Sequence, residues 1–218
     1  RQMCIRDRKY LSPRPNTVSV RIGTDGFSPW TFPYWGTKAP AIELDKVSSM
    51  LKGDILTTPQ GVDFYWNGYD KNVSFVSLWD NFPGSMTFDV DRKGEAIAFL
   101  VCGSTNMMQC NIENALITIT YENGQTDKLP LIPPVNYWNL CPIDSHATAP
   151  GQFSRSYYTA ETDRFCLPSV FPRTVELGQN CTAMLLVRRL KSGLKVRKVT
   201  LKCLSQEVVV GLMGISIR

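Results

Sequence analysis

Short runs of alternating apolar and polar residues dominate the chain. Stretches of this kind, rich in β-branched and aromatic side chains, fall at residues 17–22, 73–79, 86–90, 96–102, 116–121, 183–190, 196–204 and 208–217. Gly, Pro, Asn and Asp separate them, as expected for strands that present alternate side chains to a core and to solvent. Asn123-Gly124 between 117–121 and 126–129 is a strong short hairpin signal, and Lys191-Ser192-Gly193 separates the next pair of alternating runs in the same manner. One segment, 43–52, carries apolar residues at helical spacing (Leu44, Val47, Leu51) before Gly53, and it reads equally well as a loop. The pattern predicts an all-β fold, an antiparallel β-sandwich of jelly-roll-like character, in a single domain.

Two stretches break the strand rhythm. Residues 23–40 are dense in Gly, Pro and aromatics, and 130–172 hold many of the prolines and the sole histidine. Both predict long loops pinned by aromatic side chains, since unstructured loops of this length are uncommon in compact domains. Ordered loops on a rigid sandwich are also where binding residues concentrate.

Composition changes the picture at the N-terminus. The chain has 218 residues, 43% of them hydrophobic, 20% charged, and a formal charge of +5. That supports a folded core and excludes a disordered chain. No apolar run approaches the ~18 residues of a membrane helix, so no membrane span is expected. Residues 1–8, which include Met3-Cys4-Ile5-Arg6-Asp7, match one reading frame of a transposon-type sequencing adapter. They are expected to be non-native, with the protein proper at 9–218 as the C-terminal fragment of a larger one. Removing Arg1, Arg6, Arg8 and Asp7 lowers the charge to +3 and leaves six of the seven cysteines.

Candidate chemistry is sparse, and no catalytic residues are assigned. His146 stands without a carboxylate or nucleophile near it in sequence. Neither a phosphate-binding glycine loop nor a metal-spaced His/Cys cluster is present, so no cofactor and no metal are expected. Asp89 and Asp91 at a strand end suit a charged turn better than a calcium site. Cys102 and Cys203 occupy apolar positions and read as buried thiols, whereas Cys141 and Cys166 are the pair most able to form a bridge. Arg188, Arg189, Lys191, Lys195, Arg197, Lys198 and Lys202 form an acid-free basic stretch. Its alternation suits the solvated face of a hairpin better than a polyanion site, and without interleaved aromatics no nucleic-acid partner is expected.

The aromatic loops are the stronger lead. Trp30, Phe32, Tyr34 and Trp35 cluster within six residues, followed by Tyr65, Trp66 and Tyr69 and by Tyr137 and Trp138. Such planes stack on the apolar C–H faces of sugar rings while neighbouring Asp, Asn and Gln bond the hydroxyls; equally, they pack long loops or seal a domain contact.

Phe75-Val76-Ser77-Leu78-Trp79-Asp80-Asn81-Phe82-Pro83, Gly103-Ser104-Thr105-Asn106-Met107-Met108-Gln109 and the final strands 199–201 and 208–215 resemble the C-terminal β-rich region of a gut-bacterial family. This is a domain of unknown function found in large secreted proteins that carry a six-hairpin, glycosidase-like (α/α) toroid. Pro33-Tyr34-Trp35-Gly36-Thr37-Lys38-Ala39-Pro40-Ala41-Ile42 also looks like that family. The resemblance implies a periplasmic, outer-surface or secreted protein of the carbohydrate-active class, with its catalytic toroid upstream. This chain is then a non-catalytic accessory module contacting carbohydrate, or a structural module that braces the toroid domain. Hydrolysis by the chain itself through Asp80, Asp89 or Glu113 is a third reading.

The expected ligand-binding set is Trp30, Tyr34, Trp35, Trp66, Trp79, Asp80, Asn81, Ser104, Asn106, Gln109 and Trp138. If the strands ending near Trp79 and Cys102 are neighbours through one intervening antiparallel strand, the polar clusters that follow them meet at one rim. For each residue alone, an Asx-turn or a loop cap is the competing role.

Overall fold

The computed structural model describes residues 3–4, 47–66, 73–78, 82–104, 109, 111–133, 135–136, 174–178, 181–206 and 208–218. The predicted strand at 17–22 and most of both aromatic loops lie outside the described residues, as do Cys141, His146 and Cys166.

Every described pairing is antiparallel. The largest sheet contains β1 (Met3–Cys4), β5 (Ser74–Ser77), β7 (Ala96–Ser104), β10 (Thr174–Gly178), β11 (Cys181–Arg189) and β13 (Val209–Ile217). Its order is β1-β13-β7-β11-β10, with β5 sharing the β1 edge of β13. A second sheet runs β6 (Ser85–Arg92), β12 (Val196–Cys203), β8 (Ala115–Tyr121) and β9 (Thr126–Leu131). A third, small sheet is the meander β2 (Leu51–Lys52), β3 (Ile55–Thr57) and β4 (Asp63–Tyr65). The all-β antiparallel sandwich read from the alternation is therefore present. No described helix is long and apolar enough to cross a membrane.

The second sheet shows why these sequences alternate. Met86, Phe88 and Val90 of β6 and Ala115, Ile117, Ile119 and Tyr121 of β8 point inward, while the residues between them face outward. The large sheet differs because both of its faces are covered. Ile97, Phe99 and Val101 of β7 pack toward the second sheet, and Ala98, Leu100 and Cys102 pack toward the small one. Its interior strand β13 is buried at all nine positions, which explains a run whose single polar side chain is the small, buried Ser216. Each fully buried apolar side chain of this size contributes roughly 1.5–3 kcal/mol.

Two bulges keep the pattern in phase. Val196 and Val199 are both buried although three positions apart, because the register of β12 slips by one residue at Arg197 against β8 and against β6. A strict ladder would turn one valine to solvent. The β6 side of the slip is taken up at Asp91, whose φ of 51° is left-handed. In β13 the same device at Met213 lets Leu212 and Ile215 both face the second sheet.

Two expectations are corrected. The segment 43–52 is helical only at residues 47–48 among those described. Leu51–Lys52 instead pairs with β3, because Gly53 at φ +60° closes a two-residue turn with Asp54. The basic stretch 188–202 is not a hairpin, since β11 pairs with β7 and β12 with β6 and β8. Lys191-Ser192-Gly193 is thus a crossover between sheets. The small sheet and β10 were not foreseen; strands of two to five residues leave too few alternations to register.

Asn123-Gly124 does close the β8–β9 hairpin. Gly124 adopts φ +83°, Gly124 N–H donates to Tyr121 O at 3.0 Å, and Gln125 N–H donates to Asn123 Oδ1 at 3.0 Å. The crossover is latched onto this hairpin. Buried Tyr121 donates its hydroxyl to Asp127 Oδ2 at 2.7 Å and accepts from Lys191 N–H at 3.2 Å. Lys191 Nζ lies 3.5 Å from Asp127 Oδ1.

Burial, and then the hydrogen bond to Asp127, push the Tyr121 hydroxyl above its ordinary pKa. Tyr121→Phe is expected to cost about 1–2 kcal/mol, mainly by leaving Lys191 N–H without its acceptor. A folded-state pKa above the unfolded one stabilises fully below the unfolded value, roughly 10, and less as pH rises past it. Urea unfolding from pH 7 to 11 should therefore show a constant gap between wild type and variant that shrinks above about pH 10.

Candidate functional site

Three strands bring the two polar motifs to one end of the large sheet. Val209 is the register partner of Ser77 on one side and of Ser104 on the other. The chain therefore leaves β5 toward Asp80-Asn81 and leaves β7 toward Thr105-Asn106 from the same end, two strand spacings or roughly 9.5 Å apart. β13 is the single intervening antiparallel strand that the expectation required.

The backbone around this end is tightly bonded. Ser77 N–H donates to Pro83 O at 3.1 Å, closing the loop that contains Asp80, and Ser77 Oγ donates to Val208 O at 2.7 Å. Phe82 packs edge-on against Phe75, with centroids 6.5 Å apart. On the β7 side, fully buried Asn114 holds the next loop. Its Nδ2 donates to Gln109 O at 2.9 Å, its carbonyl accepts from Leu204 N–H at 2.9 Å, and its own N–H donates to Leu131 O at 2.8 Å. Asn136 Nδ2 donates to Pro130 O at 2.8 Å, and its Oδ1 accepts from Ile132 N–H at 2.9 Å. Asn111, at φ 61°, takes a left-handed conformation that asparagine tolerates better than most residues.

The same end carries large apolar side chains in the open. Leu78, Ile112, Val135 and Leu204 are 38%, 48%, 60% and 37% exposed. They sit on the loops that follow β5, β7, β9 and β12. Bonded loops and exposed apolar side chains together make this end suited to holding a partner.

The predicted residues fare unequally. Trp66 is 7% exposed and belongs to the core between the large and small sheets, so it is not a solvent-facing platform. A tryptophan near Gly and Asn reads the same in sequence whether its neighbours cover it or not. Gln109 lies at the rim, half-buried, with its carbonyl engaged by Asn114. Ser104 ends β7 there. Trp30, Tyr34, Trp35, Trp79, Asp80, Asn81, Asn106 and Trp138 lie outside the described residues. Asn114, Asn136 and the exposed Leu78, Ile112 and Leu204 were missed. The signal for Asn114 was an asparagine immediately before an alternating strand, where its amide can satisfy loop carbonyls.

Elsewhere the chemistry is structural. Cys102 and Cys203 are buried free thiols, as their apolar positions predicted, and burial pushes both pKa values up. Asp91 takes Arg197 Nη1 at 2.9 Å and Lys195 Nζ at 3.7 Å, while Asp89 is the register partner of Lys198. These carboxylates face cations, so part of the basic stretch is engaged with acids that it lacks in its own sequence. Among the described residues no group of three or more His, Cys, Asp or Glu side chains is placed to hold a metal ion. No protein-family model matches the chain, and no curated protein matches it.

Proposed function

We propose that the chain is a non-catalytic accessory β-sandwich of a carbohydrate-active protein, periplasmic or outer-surface, that contacts glycan at the β5–β13–β7 rim. The observation that carries the reading is the shared register of Ser77 and Ser104 on Val209. It starts the Asp80-Asn81 and Ser104-to-Gln109 segments from one sheet end, at a separation comparable to two sugar units. Carboxylate and amide groups on such loops bond ring hydroxyls, and apolar neighbours exclude water from those bonds. The parent protein would supply the hydrolytic site.

Titration calorimetry against a panel of plant and host polysaccharides tests this. At least one glycan should bind, and Asp80→Ala, Asn106→Ala and Gln109→Ala should each weaken it about tenfold or more at unchanged unfolding temperature. Absence of binding across the panel, or variants that bind as wild type does, refutes it.

A second reading has its own observation. The exposed Leu78, Ile112, Val135 and Leu204 suit a protein contact better than a sugar, which favours a module that braces an upstream toroid domain. Under that reading Ile112→Asp abolishes the complex with the separately produced upstream domain and leaves glycan titrations flat throughout.

A further inference from the structure

A cleft of about 280 Å³ opens on the outer face of the large sheet, beside the small sheet and away from the rim. Its floor is the row Ser216–Ala98–Val187, set by the register of β13, β7 and β11. Small side chains on the middle strand leave a flat trough there, and half-exposed Val187 gives it an apolar wall. The next row along the sheet is Arg218–Ala96–Arg189. Arg218 exchanges both backbone hydrogen bonds with Ala96, at 2.9 and 3.0 Å, and Arg189 is the register partner of Ala96.

Directly opposed residues of an antiparallel pair point to the same face. Both guanidinium groups therefore rise on the cleft's side of the sheet, flanking an alanine. The nearby acids lie toward the other face: Glu176 has the opposite parity to Val175, which faces the small-sheet side, and Glu95, just before β7, is bonded through its carbonyl to Leu190, which packs toward the second sheet. Across the trough, Gln60 is fixed by donation from Nε2 to Thr174 O at 3.0 Å, so its Oε1 is held in place as an acceptor.

We propose that this cleft binds a hexuronate, a six-membered sugar ring bearing a carboxylate. The volume lies just below the ~300–1,000 Å³ of drug-sized sites, which suits one ring rather than a long chain. The ring's C–H face lies on Ala98 and Val187. Its carboxylate meets the guanidinium pair, whose planar donor fork matches two carboxylate oxygens. A ring hydroxyl donates to Gln60. A neutral hexose makes the same apolar contact and leaves the guanidinium groups unsatisfied, so charge sets the selectivity.

The test is titration of the full chain with galacturonic and glucuronic acids, their methyl esters, and the parent neutral hexoses. The acids should bind, the esters and hexoses at least about tenfold more weakly, and Arg218→Gln with Arg189→Gln should weaken the acids by a similar factor. Both arginines are surface residues, and unchanged unfolding temperatures verify that the variants fold. Asp80→Ala and Gln109→Ala should leave uronate affinity unchanged, which separates this cleft from the rim. Equal affinity for acid and ester, unaltered binding by the double arginine variant, or no binding of either acid overturns the assignment. Polymeric uronates that bind while free rings do not also overturn it, because a one-ring cleft takes the free sugar.

Discussion

Truncation of Phe64 to alanine should destabilise the protein by about 3–5 kcal/mol, the range for removing a buried phenylalanine. Phe64 is 1% exposed and, with Leu56, carries the small sheet into the core it shares with the large one. The site resists collapse around the void, because one edge of the side chain already lies close against the backbone of β13 at Gly214. A Cβ added at Gly214 would sit 2.7 Å from Phe64 Cδ1 and 3.3 Å from its Cγ. Glycine there is the complement of the ring.

That complementarity makes a double-mutant cycle informative. Gly214→Ala alone should destabilise by overpacking, about 1–3 kcal/mol. In the Phe64→Ala background the new methyl enters vacated space and removes a strand glycine, so the same change should be neutral or stabilising, with coupling of about 0.5–3 kcal/mol. Urea unfolding of the four proteins measures it. Additive costs would mean that the small sheet is held by other contacts.

Much of this architecture was legible before any coordinates, for a physical reason. Alternation reports which face a residue turns to, and β6, β8 and β12 each have one wet face, so their inward residues announced themselves. Where both faces are covered the signal disappears: residues 208–217 read as apolar apart from Ser216, and nothing in them shows that Val209 and Gly211 face one layer while Val210 and Leu212 face another. Alternation also says nothing about partners. Residues 183–190 and 196–204 have the periodicity of a hairpin, yet the turn between them crosses from one sheet to the other. The adjacent cations Arg197 and Lys198, between two inward valines, were a readable trace of the bulge. The rim emerged from motifs rather than periodicity. The cleft was not legible, because Ala96, Ala98 and Ser216 have no chemistry until the register places Arg189 and Arg218 in the next row.

Gly211→Ala should destabilise by about 3 kcal/mol, at the top of the usual overpacking range, and lower the unfolding temperature by roughly 6–12 °C for a chain of this size. Gly211 lies opposite Phe75 on one side and Cys102 on the other. An added Cβ would come within 2.6 Å of Phe75 Cε1, 2.6 Å of Val73 Cγ1 and 2.9 Å of Cys102 Sγ. All three neighbours are fully buried, and Phe75 is also held at its edge by Phe82, so none can swing aside. Strain here has to move backbone. The strands that would part are β5 and β7, the two that place the rim loops on either side of β13. Val73→Ala in the Gly211→Ala background removes one collision and should recover part of the lost temperature, even though Val73→Ala alone destabilises. Differential scanning fluorimetry of the four proteins decides the matter: a cost for Gly211→Ala below about 1 kcal/mol, or no recovery with Val73→Ala, would show that β13 yields at this point and that the rim spacing is not set by packing at Gly211.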